Sequence, residues 1–165
     1  MDQKTDLTMS MYITFHLKRK TGEMDHFLSF SRNTDIYHCF NEFGIPFYYQ
    51  DPEPFEQITE KMLDQILSDI SSDRQKCQDE LKVLYRLSDK SVVSSVLELT
   101  EQLRDMYVEE IECTDNLVRE ILWREDMMQD LNKTQTQIEF LKDILHQMEG
   151  NCENRPFEGI YANIG

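Results

Sequence analysis

The sequence predicts a mainly α protein in which a small N-terminal ββα unit precedes long antiparallel helices, paired as a coiled coil or folded into a three-helix bundle. Three observations carry that class. Residues 11–17 alternate apolar Met11, Ile13, Phe15 and Leu17 with Tyr12, Thr14 and His16, the period of a half-buried strand. Between Pro54 and Gly150 the chain holds neither proline nor glycine, the two residues that most oppose a helix interior. Within that stretch Leu63, Leu67, Ile70, Cys77, Leu81 and Leu84 recur at steps of three and four, interrupted by Arg74, as in a coiled-coil seam.

The elements follow in chain order. A second strand-like run, residues 24–31, is joined to the first across Lys20, Thr21, Gly22 and Glu23, where glycine supplies the positive φ of a tight turn. Phe27 breaks the face that carries Met24, His26, Leu28 and Phe30. Asn33, Thr34 and Asp35 then offer an N-cap, Ile36, Phe40 and Phe43 share one helical face, and Gly44 with Pro46 stops a short helix. Asp51 and Pro52 read as the start of the first long helix, a cap followed by proline at the first helical position. That helix is expected to end near residue 87, before Ser88 and Asp89. A second helical stretch runs to Gly150 and Asn151, either unbroken or bent at Cys113, Thr114, Asp115 and Asn116, four weak helix formers in a row.

The expected organisation is therefore residues 1–50 as the hairpin and short helix, 51–150 as the long helices, and 151–165 as an apolar tail. The tail is expected to add an edge strand to the hairpin, in its own chain or a neighbour's, because a lone hairpin is marginal. Trp123, on the second helical stretch, is expected in the core, with a partner contact as the alternative.

Composition narrows the function. The 165 residues carry 32 Asp and Glu against 17 Lys and Arg, a net charge of −15, and such a surface repels nucleic acid and anionic lipid. The one basic cluster, Lys18, Arg19 and Lys20, sits at the hairpin turn. No apolar run approaches the ~20 residues that span a bilayer, and the first residues lack the order of a signal peptide. The four cysteines are dispersed without metal spacing. A cytoplasmic protein without metal or cofactor is expected.

Chemistry-bearing patterns are sparse. With glycine only at 22, 44, 150, 159 and 165, no phosphate-cradling loop is present. His38, Cys39 and Glu42 form the only local cluster mixing base, thiol and carboxylate, but adjacent helical residues point about 100° apart, so the thiol faces away from the imidazole. No enzymatic activity is expected.

Two patterns point to binding. Glu98, Glu101, Asp105, Glu109 and Glu112 fall within about 80° on a helical wheel, opposite Val92, Val96, Leu99, Leu103, Met106 and Tyr107. That stripe has about one carboxylate per 5 Å of helix, against about one phosphate per 3.4 Å in a nucleic-acid strand, so it permits local backbone mimicry. Over residues 51–150 the balance is 24 acidic to 11 basic side chains, too sparse to imitate a whole duplex. The second pattern is Phe47, Tyr48 and Tyr49, in a segment rich in rings and prolines; it is either a joint stapled to the following helix or a patch for a partner.

The function expected from these features is a non-enzymatic acidic interaction module. It binds and blocks a basic, nucleic-acid-handling protein, as a phage or mobile-element inhibitor does. The alternative is an assembly protein that forms homo-oligomers, dimers first, through a seam including Leu131, Ile138 and Leu145.

Overall fold

The structure, a computed structural model, describes residues 11–87, 104–148 and 156–165, and only the backbone of 87, 104–115 and 117. It is an α+β protein, which corrects the mainly α expectation. The ββα start is present, but the hairpin belongs to a four-stranded antiparallel sheet of order β2-β1-β4-β3. The strands are β1 (Tyr12–Arg19), β2 (Met24–Ser31), β3 (Glu56–Ile58) and β4 (Phe157–Ile164); the helices are α1 (Asp35–Cys39), α2 (Glu60–Leu87) and α3 (Arg104–Met148). Local periodicity shows the hairpin and hides β3, which is only three residues long; the strand in the tail, β4, lies between β1 and β3 rather than at an edge.

The hairpin turns at Gly22, whose φ of 96° is reserved for glycine. Phe15 faces Leu28 and His16 faces His26, so Phe27 is an extra residue in β2, the geometry of a β-bulge. The bulge explains the interrupted face, and it sends the Phe27 ring to stack on Phe140 at 6.2 Å between centroids. β4 then pairs with β1 on one side and β3 on the other.

Pairing fixes two sheet faces. Ile13, Phe15, Ile58, Ile160, Ala162 and Ile164 are buried on one. The other carries Tyr12, Thr14, His16 and Lys18 of β1, with Ser29 of β2, Asn163 and Tyr161 of β4, and Gln57 of β3.

The chain divides into two compact units. The first comprises Met1–Asp69 and Thr134–Gly165. Its core includes Ile36 of α1 and Phe40 just after it, Leu63 and Ile66 of α2, and Ile138 and Leu141 of α3, all essentially inaccessible. Phe15 and Phe40 meet edge to face at 5.2 Å. In this unit α2 and α3 run antiparallel: Lys142 pairs with Asp64 at 2.6 Å, and His146 bonds Glu60 at 2.7 Å.

The second unit, Ile70–Lys133, contains the rest of the two helices. Ile70, Cys77 and Leu81 are buried, and the Cys77 thiol donates to the Arg124 carbonyl at 3.3 Å. Burial pushes that thiol's pKa up. Arg124 pairs with Glu80 at 2.8 Å and with Glu120 one turn away. The α3 backbone is helical through residues 113–116. Trp123 is 58% exposed, with Arg124 over its ring at 5.3 Å, so it is not the core residue expected.

The first long helix starts at Glu60 rather than Asp51. Thr59 is its cap, its hydroxyl accepting from the Met62 N–H at 3.3 Å. Residues 46–55 form a strap instead, because tertiary pairing overrides the local helix signal: the Tyr48 N–H donates to the Ile164 carbonyl and the Ile164 N–H to the Pro46 carbonyl, both at 2.8 Å.

Candidate binding groove on the open sheet face

The strap lies against the sheet face opposite the core. Together they enclose an open groove of about 870 Å³, lined by Met11, Tyr12, Thr14, His16, Ser29, Phe47, Tyr48, Tyr49, Glu53, Asn163 and Gly165. Period-two alternation puts Tyr12, Thr14 and His16 on its floor. Strap pairing puts the three consecutive rings on its wall.

Those rings are ordered by one another. Phe47 and Tyr49 stack at 5.5 Å, and Tyr48 meets Tyr49 edge to face at 6.0 Å. Tyr48 lies so closely against Gly165 that a Cβ there would meet its ring. Gly165 is held in turn by reciprocal backbone bonds with Tyr12, both 2.9 Å. Tyr12, Tyr48 and Tyr49 remain 42%, 49% and 70% exposed, unusual for adjacent large rings with no covering partner.

Beneath them runs a polar chain. The Asn163 side-chain amide donates to Glu53 at 2.9 Å and to the Pro54 carbonyl at 3.2 Å, which turns its oxygen toward His16 Nε2 at 3.2 Å. In the neutral ring Nε2 therefore carries the hydrogen and Nδ1 is an acceptor. Burial lowers the His16 pKa, opposed by the Asn163 bond and the Glu53 charge, and so favours the neutral ring. Asn163 is only 3% exposed, a buried amide whose bonding capacity is used.

A second chain links Thr14 to Ser29 at 3.0 Å and Ser29 to His26 Nε2 at 2.9 Å. The hydroxyl and imidazole are close enough for proton exchange, but among the described residues no carboxylate bonds His26 to orient it as a base. This chain offers hydrogen-bond donors and acceptors. Elsewhere, His38 lies at the end of α1 and bonds Asn41 at 3.2 Å. Glu42 belongs to a separate 3₁₀ turn, Asn41–Phe43, so His38 and Glu42 do not share one helix.

The residues singled out from the sequence fall in three places. Phe47, Tyr48 and Tyr49 form the groove wall. Asp105, Glu109 and Glu112 lie on α3, where only the backbone is described, and Glu98 and Glu101 lie outside the described residues. Ile138, assigned to an oligomer seam, is completely buried inside the first unit, whereas Leu131 and Leu145 are half-buried. Sequence reasoning missed His16, Glu53 and Asn163. Their only signal was the side of the β1 alternation on which His16 falls; Asn163 is 147 positions from its histidine partner.

Two further facts bound the chemistry. Among the described residues no three His, Cys, Asp or Glu side chains cluster to hold a metal ion, and no helix is long and apolar enough to cross a membrane. Lys18 is engaged by Glu158 at 3.4 Å, and Arg19 by Asp25 at 2.7 Å, so two of the three clustered cations are locally offset.

Fold and groove together define an α+β protein with an aromatic-walled, carboxylate-bearing recess between the strap and the sheet face opposite the core. The chain matches no known protein family, no curated protein and no solved structure.

Proposed function

We propose that this protein is a non-enzymatic acidic interaction module of the cytoplasm, which binds a basic, nucleic-acid-handling protein and occupies its basic site, in the manner of a phage or mobile-element inhibitor. The observation that carries the reading is charge: 32 acidic against 17 basic side chains, net −15. A field of that sign accelerates encounter with a cationic surface and disfavours nucleic acid itself. The stripe of Glu98, Glu101, Asp105, Glu109 and Glu112 supplies the local density, and exposed Tyr48 and Tyr49 supply apolar area of the kind that dominates interface energetics.

The test is affinity capture from a lysate with wild-type protein and with the combined Glu101→Lys, Asp105→Lys and Glu109→Lys variant. The expected outcome is a basic protein retained by the wild type at low salt, released at high salt, and not retained by the variant. Equal retention by both would refute the reading.

A second reading, homo-oligomeric assembly, has one observation in its favour. Val83, Val118, Leu122 and Trp123 are each at least 46% exposed on the helices of the second unit, a set of apolar side chains suited to a like surface. Leu122→Glu is expected to dissociate such an oligomer in sedimentation. An unchanged mass would remove this reading.

A further inference from the structure

We infer that the groove between the strap and the open sheet face binds an arginine side chain presented on an extended segment of the basic partner. This rests on the proposed function and gives the partner's contact a definite chemistry and place.

The groove supplies what a guanidinium needs. Its wall offers the rings of Tyr48, half exposed, and Tyr49, more so, and its floor offers Tyr12. Aromatic faces attract cations through their quadrupole, and arginine also stacks on them as a plane. Glu53 places an exposed carboxylate in the same recess, bonded there by the Asn163 amide, and a planar guanidinium bonds a carboxylate in parallel pairs.

The groove also lacks what would oppose a cation. None of its described lining residues is lysine or arginine. His16, the one histidine among its lining residues, has its neutral form favoured by burial, and its acceptor nitrogen completes a site with carboxylate, hydroxyls and rings but no fixed positive charge. An anionic or nucleic-acid ligand would meet the wrong sign. A volume of about 870 Å³ that opens to solvent admits a side chain together with neighbouring peptide, in the size range of known ligand sites.

The experiment uses the full chain and a blocked heptapeptide, acetyl-Gly-Ser-Arg-Arg-Arg-Ser-Gly-amide, against the same peptide with neutral citrulline at the three arginine positions. Binding is followed by amide chemical shifts and by calorimetry. Saturable shifts are expected at residues 12–16, 47–53 and 163–165, with at least tenfold weaker binding of the citrulline peptide. Tyr49→Ala, at a 70% exposed site, and Glu53→Gln should each weaken binding about five- to tenfold, with folding verified by unchanged shifts in the core.

Shifts confined to residues 104–112, with Tyr49→Ala unchanged, would overturn the groove assignment while leaving the acidic-module reading intact. Absence of any binding would also overturn the groove assignment, and lysate capture would then decide the broader reading separately. Equal affinity for the citrulline peptide would show a peptide-backbone site and refute the arginine assignment.

Discussion

Replacing Asn163 by alanine is the perturbation that most sharply tests how the groove is held. The amide makes one bond to a carboxylate at 2.9 Å, one to the Pro54 carbonyl at 3.2 Å and one to His16 at 3.2 Å. Neutral hydrogen bonds contribute about 0.5–1.5 kcal/mol net and those to charged groups about 1.5–3. The Glu53 bond belongs at the low end or below, because that side chain is exposed and regains water. The His16 and Pro54 groups are less easily rehydrated, so the loss is expected to be about 2–3 kcal/mol in all. Urea denaturation followed by circular dichroism measures it directly, with a lowered midpoint and an unchanged slope. The strap should also loosen, seen as collapse of the ring-current shifts that Tyr48 imposes on Gly165. A loss below about 0.5 kcal/mol, with those shifts intact, would refute the claim that Asn163 fastens the strap to the sheet.

Further perturbations address the core, the pH response and the groove wall. Ile138→Ala empties a fully buried site and should destabilise by about 2–5 kcal/mol without altering the molecular mass. For His16 the folded-state pKa lies below the ordinary value of 6.5, so the unfolded chain binds more protons as pH falls through that value. The contribution is fully present above the ordinary value and declines as pH falls toward the folded-state value; urea midpoints at pH 7.5 and 5.5 should show the decline, and His16→Gln should remove this part of it. Gly165→Ala introduces a Cβ into the Tyr48 ring and should displace the ring, weakening the arginine peptide more than it lowers the urea midpoint.

The parts of the fold readable in sequence are those set by local sterics. Gly22 and Gly44, both at positive φ, end elements where glycine lets the backbone turn, and the Met11 to Leu17 alternation gave β1 its inward and outward sides. The parts that escaped depend on distant pairing. Glu56, Gln57 and Ile58 are a strand only because Ala162, Tyr161 and Ile160 face them, and no local pattern encodes that. Asp51 and Pro52 carry a sound helix-start signal that loses to the strap's bonds with Ile164. Trp123, expected in the core, has its indole under Arg124 and in solvent. Of the groove, Phe47, Tyr48 and Tyr49 stood out as a cluster; the Glu53, Asn163 and His16 chain joins three separate elements and becomes visible only when the sheet is assembled.

The central claim, that this acidic chain occupies a basic partner's nucleic-acid site, is tested most directly by competition. A fluorescently labelled duplex is bound to the captured basic protein and this protein is titrated in, with anisotropy reporting the duplex. The account predicts that the duplex is released as the two proteins form a complex, and that the Glu101→Lys, Asp105→Lys, Glu109→Lys variant fails to release it. A duplex that stays bound while the two proteins associate would contradict it.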